Sequence, residues 1–115
     1  MPVAINTSDP EEAKLIAFIS DTTDEVKRAE KLHPPLNSLH EAYAVILEEL
    51  DELWEQVRKK RMERNREEIY IELVQIAAMA ARAAMNLNYY PRWLEEAFRK
   101  QREQPRNELP LGSVL

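Results

Sequence analysis

From residue 39 to residue 57, apolar side chains fall at Leu39, Tyr43, Ile46, Leu50, Leu53 and Val57, in steps of four, three, four, three and four. That rhythm keeps one side of an α-helix apolar. Residues 66–88 carry the inverse pattern. Between Ile69 and Leu87 the chain is mostly Ile, Leu, Val, Ala, Met and Tyr, and a single stripe interrupts it: Glu68, Glu72, Gln75, Met79, Arg82 and Asn86. The stripe also advances in alternating steps of four and three, which stacks its members on one helical face. A helix apolar on most sides is normally buried. Carboxylates, an amide and a guanidinium on it are costly unless a metal ion, a phosphate or a partner charge meets them.

Two further helices flank these. The first is predicted to start near Asp9. Ser8 or Asp9 can cap it, Pro10 suits its first turn, and Glu11 and Glu12 favour its positive end. Leu15, Ile16, Phe18, Ile19 and Val26 give it an apolar side, Asp21-Thr22-Thr23-Asp24 is a place where it bends or breaks, and His33-Pro34-Pro35 ends it. Ser38 with Glu41, and Asn65 with Glu68, have capping-box spacing and open the second and third helices. The second is expected to run to about Lys60, where Arg58, Lys59, Lys60 and Arg61 suit the negative end of its dipole. After the turn Asn88-Tyr89-Tyr90-Pro91, a fourth helix over about 91–103 carries Trp93, Leu94, Ala97 and Phe98. One glycine and almost no alternating pattern leave little room for strands. The expectation is an all-α chain, a four-helix bundle over residues 1–104 with a flexible tail at 105–115. Val45, Leu47 and Trp54 flank the second helix's stripe, and the third is apolar nearly all round. That is more apolar surface than one thin bundle buries, so a homo-oligomer is expected, a dimer or a dimer of dimers.

Composition narrows the picture. A chain of 115 residues without cysteine has neither a disulfide framework nor a thiolate metal site. Its net charge of −5, with both signs interleaved, argues against a nucleic-acid partner. It does not argue against a nucleotide, since bound cations reverse the local sign. No basic patch precedes an apolar run at the N-terminus, and the charges within 69–87 disfavour a membrane span. A cytoplasmic location is the expectation.

The chemistry concentrates in carboxylates. Glu49 and Glu52 are three apart and Glu48 and Glu52 four apart, so they share an arc beside the apolar stripe, continuing Ala42 and Val45. Glu72 and Gln75 repeat the three-residue step on the next helix. Two such helices packed antiparallel bring three carboxylates and one amide oxygen to a common centre. Oxygen-only ligands suit Mg²⁺ or Mn²⁺. A plainer reading stands beside this one. EELDELWEQVRKK also fits a solvated helix with i,i+4 pairing, and Glu72 could simply pair with Arg82 or with a lysine of another helix.

Glu48-Glu49-x-x-Glu52, then nineteen intervening residues, then Glu72-x-x-Gln75 resembles the EExxE…ExxD signature of the MazG-like all-α NTP pyrophosphohydrolases. HPPLNSLHEAYAVILEELDELWEQV, followed by IELVQIAAMAARA, is similar to small phage-type dATP/dGTP pyrophosphohydrolases, the MazZ-like branch. The resemblance covers about residues 33–86. It implies hydrolysis of a (deoxy)nucleoside triphosphate to monophosphate and pyrophosphate with two or three Mg²⁺ or Mn²⁺ ions. Glu49, Glu52 and Glu72 would then be metal ligands, and Glu48 a further ligand or the base that orients the attacking water. Gln75 departs from the general pattern: it brings a carbonyl oxygen without charge, so it weakens one metal position or hands it to another carboxylate such as Glu68. Relatives acting on dUTP, dCTP or phosphoribosyl-ATP remain open, as does a non-catalytic helical interaction protein.

For substrate binding the candidates are Asn37, His40, Arg82 and Asn86. Arg82 lies along the stripe beyond Glu72, where it can reach a phosphate or serve as a buried carboxylate partner. Asn37 and Asn86 can read base edges or a sugar hydroxyl. His40 can stack on a base, or be a surface or capping residue.

Overall fold

The computed structural model describes residues 2–103, and the predicted tail at 105–115 lies outside them. The described residues form α1 (Pro10–Leu32), α2 (Leu39–Val57), a 3₁₀ turn (Arg61–Glu63), α3 (Arg66–Asn86) and α4 (Arg92–Glu103), with no strand among them. No helix is long and apolar enough to cross a membrane.

The helix starts follow the capping chemistry. Asp9 caps α1 by accepting from Glu11 N, with Pro10 in the first turn. Ser38 Oγ accepts from Glu41 N and Asn65 Oδ1 from Glu68 N, both at 3.1 Å. Each is half a capping box, because the glutamates turn elsewhere: Glu41 accepts from Asn37 Nδ2 and Glu68 from Gln56 Nε2. α1 runs unbroken through Asp21-Thr22-Thr23-Asp24. Thr23 Oγ1 donates back to Ile19 O at 2.8 Å and Asp21 accepts from Tyr70 Oη at 2.5 Å, so these two side chains have partners compatible with a helix, while Thr22 Oγ1 is buried without one. α2 ends at Val57, short of the expected Lys60. Asn88, with φ 62°, closes the end of α3 in the left-handed region that Asn tolerates.

α3 is the axle. α1 packs on one side of it and α2 on another, while α1 and α2 do not pack on each other. The pairings give the directions. Asp21, Glu25 and Glu30 of α1 meet Tyr70, Gln75 and Asn86 of α3, so these two helices run parallel. α2 meets α3 antiparallel, with Gln56 near Glu68 at one end and Leu36, just before α2, on Asn86 at the other. The core is small: Val26, Ala29, Ala78 and Met79, covered by Val45, Ile46 and Ala81. Phe18 and Tyr70 add an edge-to-face pair at 6.1 Å.

Two expectations need correction. α4 packs on none of the other three helices, so the described residues form a three-helix unit with a projecting fourth helix rather than a four-helix bundle. The radius of gyration, 17.7 Å, exceeds the roughly 13 Å of a compact chain of this size. The apolar stripe of α2 is also only partly covered: Leu39, Tyr43, Leu50 and Val57 are exposed, as are Leu47 and Trp54, and only Ile46 and Leu53 are half-buried. Beside them Ala42, Val45, Glu49 and Gln56, off the stripe, are buried or half-buried.

Candidate functional site

With α1 and α2 held apart by α3, a cleft of about 530 Å³ opens between them. That lies within the usual range of small-molecule sites, about 300–1,000 Å³. Glu25, Arg28 and Ala29 come from α1; Val45, Glu48, Glu49 and Glu52 from α2; Ile71, Glu72, Gln75, Met79 and Arg82 from α3; His33, Pro34 and Leu36 close one end.

On the α2–α3 wall, Glu49, Glu52 and Glu72 converge so that one carboxylate oxygen of each lies within 4.8 Å of the others. They meet because the antiparallel pairing brings the 49/52 step of α2 opposite residue 72. Glu49 Oε2 and Glu72 Oε2 are buried and have no hydrogen-bond donor. Facing carboxylates offer one another only lone pairs, so a shared proton or a cation must intervene. The electrostatics follow. Burial pushes the Glu49 carboxyl up to about 7, helped by the neighbouring Glu52 and Glu72 charges. Burial also raises Glu72, with Glu52 adding to the effect. This donor set is hard, anionic and starved of hydrogen bonds, which fits Mg²⁺ or Mn²⁺. Glu48 is exposed on the cleft rim, outside the group of three.

The rest of the stripe is used differently. Gln75 lines the cleft, but its Nε2 donates to Glu25 Oε2 at 2.9 Å. Glu68, the expected substitute ligand, accepts from Gln56 at 2.5 Å. Arg82 is 3 % exposed; its guanidinium donates to Pro34 O at 3.0 Å and pairs with Glu30 at 3.6 Å. Asn86 lies off the cleft lining and bridges two segments, accepting from Leu36 N and donating to Glu30 Oε1, each at 2.8 Å. Arg82 and Asn86 therefore hold the His33–Ser38 connection onto α3. Asn37 and His40 are exposed and do not line the cleft, although Asn37 reaches Glu41, which does.

Three participants escaped the sequence pattern. Glu25 and Arg28 line the cleft from α1 and belong to no motif. Gln56 is buried, and its Oε1 accepts from Asn65 N at 3.1 Å while its amide binds Glu68, which fixes the α2–α3 corner. The one available signal was a lone amide at the end of an apolar helix. No known protein family, curated protein or solved structure matches this chain.

Proposed function

We propose that this chain is a divalent-metal-dependent pyrophosphohydrolase that cleaves a (deoxy)nucleoside triphosphate into the monophosphate and pyrophosphate. The observation that carries the reading is the convergence of Glu49, Glu52 and Glu72 beside an open cleft, with two buried oxygens that lack donors. The reaction class and the preference for dGTP or dATP come from the resemblance of Glu48-Glu49-x-x-Glu52 and Glu72-x-x-Gln75 to the MazG-like signature.

Glu49, Glu52 and Glu72 would hold the cations. When bound, Mg²⁺ or Mn²⁺ neutralises polyphosphate charge and makes water a better nucleophile at neutral pH. Glu48 on the rim would orient the attacking water and accept its proton. Val45, Ile71 and Met79 give the cleft an apolar surface against which a base can lie. The exposed side of α2 would be covered by a second copy of the chain, giving a cytoplasmic homo-oligomer.

The test is to incubate the purified protein with each dNTP, dUTP and phosphoribosyl-ATP in Mg²⁺ or Mn²⁺, and to follow monophosphate and pyrophosphate. Turnover of a purine dNTP is expected; no turnover of any triphosphate overturns the reading. The exposed α2 stripe also favours a second reading, a helical interaction protein whose carboxylates bind no ion. Calorimetry separates the two, since that protein has no saturable Mn²⁺ site.

A further inference from the structure

Six glutamates line the cleft, at positions 25, 41, 48, 49, 52 and 72, against two arginines, Arg28 and Arg82. Arg82 is almost fully buried and its Nη2 is committed to Pro34 O and Glu30, with Nε enclosed and unpaired. Arg28 is the opposite case. Its side chain is 54 % exposed, and Glu25, at 13 %, holds it in a fork, Nε to Oε1 at 2.7 Å and Nη2 to Oε2 at 2.5 Å. Glu25 is fixed in turn by Gln75 at 2.9 Å. A guanidinium carries five N–H donors, and the fork uses two. The other three have no protein acceptor among the described residues.

We propose that Arg28 is a substrate-binding residue that takes phosphate oxygens of a polyphosphate lying across the cleft from Glu49, Glu52 and Glu72, with Glu25 and Gln75 as positioning residues. This rests on the pyrophosphohydrolase reading and adds the second wall of that site. A polyphosphate held by cations on the α2–α3 wall still presents anionic oxygens towards α1. Arg28 is the exposed guanidinium there, and a planar fork matches phosphate geometry better than a point charge does. Glu25 sets the plane of the fork before substrate arrives.

The same chain of contacts accounts for an amide at position 75. Gln75 donates to Glu25; a carboxylate there would set a second negative charge against Glu25 and loosen Arg28. On this view Gln75 serves the arginine wall and not the metal, which separates two roles that spacing alone could not.

The experiment is calorimetry on the full chain, first with Mn²⁺ alone and then with inorganic pyrophosphate in saturating Mn²⁺, alongside KM and kcat for the best dNTP. Arg28→Gln is expected to leave Mn²⁺ binding unchanged, to lower the melting temperature only slightly because the pair is half-exposed, to weaken pyrophosphate roughly tenfold or more, and to raise KM more than it lowers kcat. Arg28→Lys should recover only part of the loss, and Gln75→Glu should weaken pyrophosphate without tightening Mn²⁺. Equal pyrophosphate affinity in Arg28→Gln and the unaltered chain overturns the proposal while leaving the hydrolase reading in place. Tighter Mn²⁺ with unchanged pyrophosphate in Gln75→Glu reassigns Gln75 to the metal and overturns its positioning role. Absence of saturable Mn²⁺ binding by the unaltered chain overturns both readings.

Discussion

The polar stripe of α3 has two halves, and their side chains meet different fates. Towards the C-terminus, Arg82 and Asn86 meet Pro34 O, Leu36 N and both oxygens of Glu30, so donors face acceptors and only Arg82 Nε is left buried without a partner. Earlier on the same face, Glu72 meets Glu49 and Glu52, acceptors against an acceptor, and two of their oxygens are buried without a donor. Burial is therefore a poor guide to function, because both halves are sheltered. Whether the partners are complementary is the better guide. The matched half locks a loop in place; the mismatched half calls for a proton or a cation.

Substitutions sharpen the contrast. The largest effect is expected in the mismatched half. Glu49→Gln or Glu72→Gln should lower turnover by more than the about 10–100-fold typical of residues that only orient a ligand, while the melting temperature holds or rises. Steady-state kinetics with circular dichroism checks this, and a fully active variant would break the comparison. Next is Arg82→Met. Removing one partner of a fully buried ion pair costs about 3–5 kcal/mol; Glu30 is about a quarter exposed, so urea unfolding should show a loss nearer roughly 2–3 kcal/mol. Asn86→Ala strips the Leu36 N–H of its acceptor and should cost about 1–2 kcal/mol in the same assay. Arg82 and Asn86 share Glu30, so the double variant should fall short of the sum.

The last test concerns pH. The Glu49 carboxyl is raised from its ordinary 4.5 to about 7 in the folded chain. The folded state thus holds a proton that the unfolded state releases, and stability falls as pH rises through that interval. Without divalent ions, the melting temperature should decline between about pH 4.5 and 7, and Glu49→Gln should flatten the decline. With Mn²⁺ present the trend should reverse, because the ion replaces the proton.

Much of this was readable in advance. Asp9, Ser38 and Asn65 mark helix starts because capping is local chemistry between a side chain and the next turn's N–H groups. The 49/52 and 72 steps were legible as a constellation because helical spacing and an antiparallel turn suffice to bring them together. What periodicity could not give was the choice of partner. The stripe Leu39–Val57 has the correct rhythm for a helix seam, but its exposed members face away from α3, and the smaller Ala42 and Val45 face towards it. A repeat names a side of a helix, not what meets that side. Glu25 and Arg28 were invisible for a related reason, since their partner Gln75 lies 50 positions from Glu25 and no local pattern spans that distance.

That distance also bears on how the molecule comes together. α2 and α3 are joined by a short connection, and Gln56 reaches Glu68 across 12 positions, whereas α1 reaches α3 across 49 to 56. Closing the longer loop costs more chain entropy, so the hairpin of α2 and α3 should assemble first and α1 should dock last. The carboxylate wall then exists before its arginine-bearing counterpart, and of the three packed helices α1 should be the first to give up its amide protons to exchange.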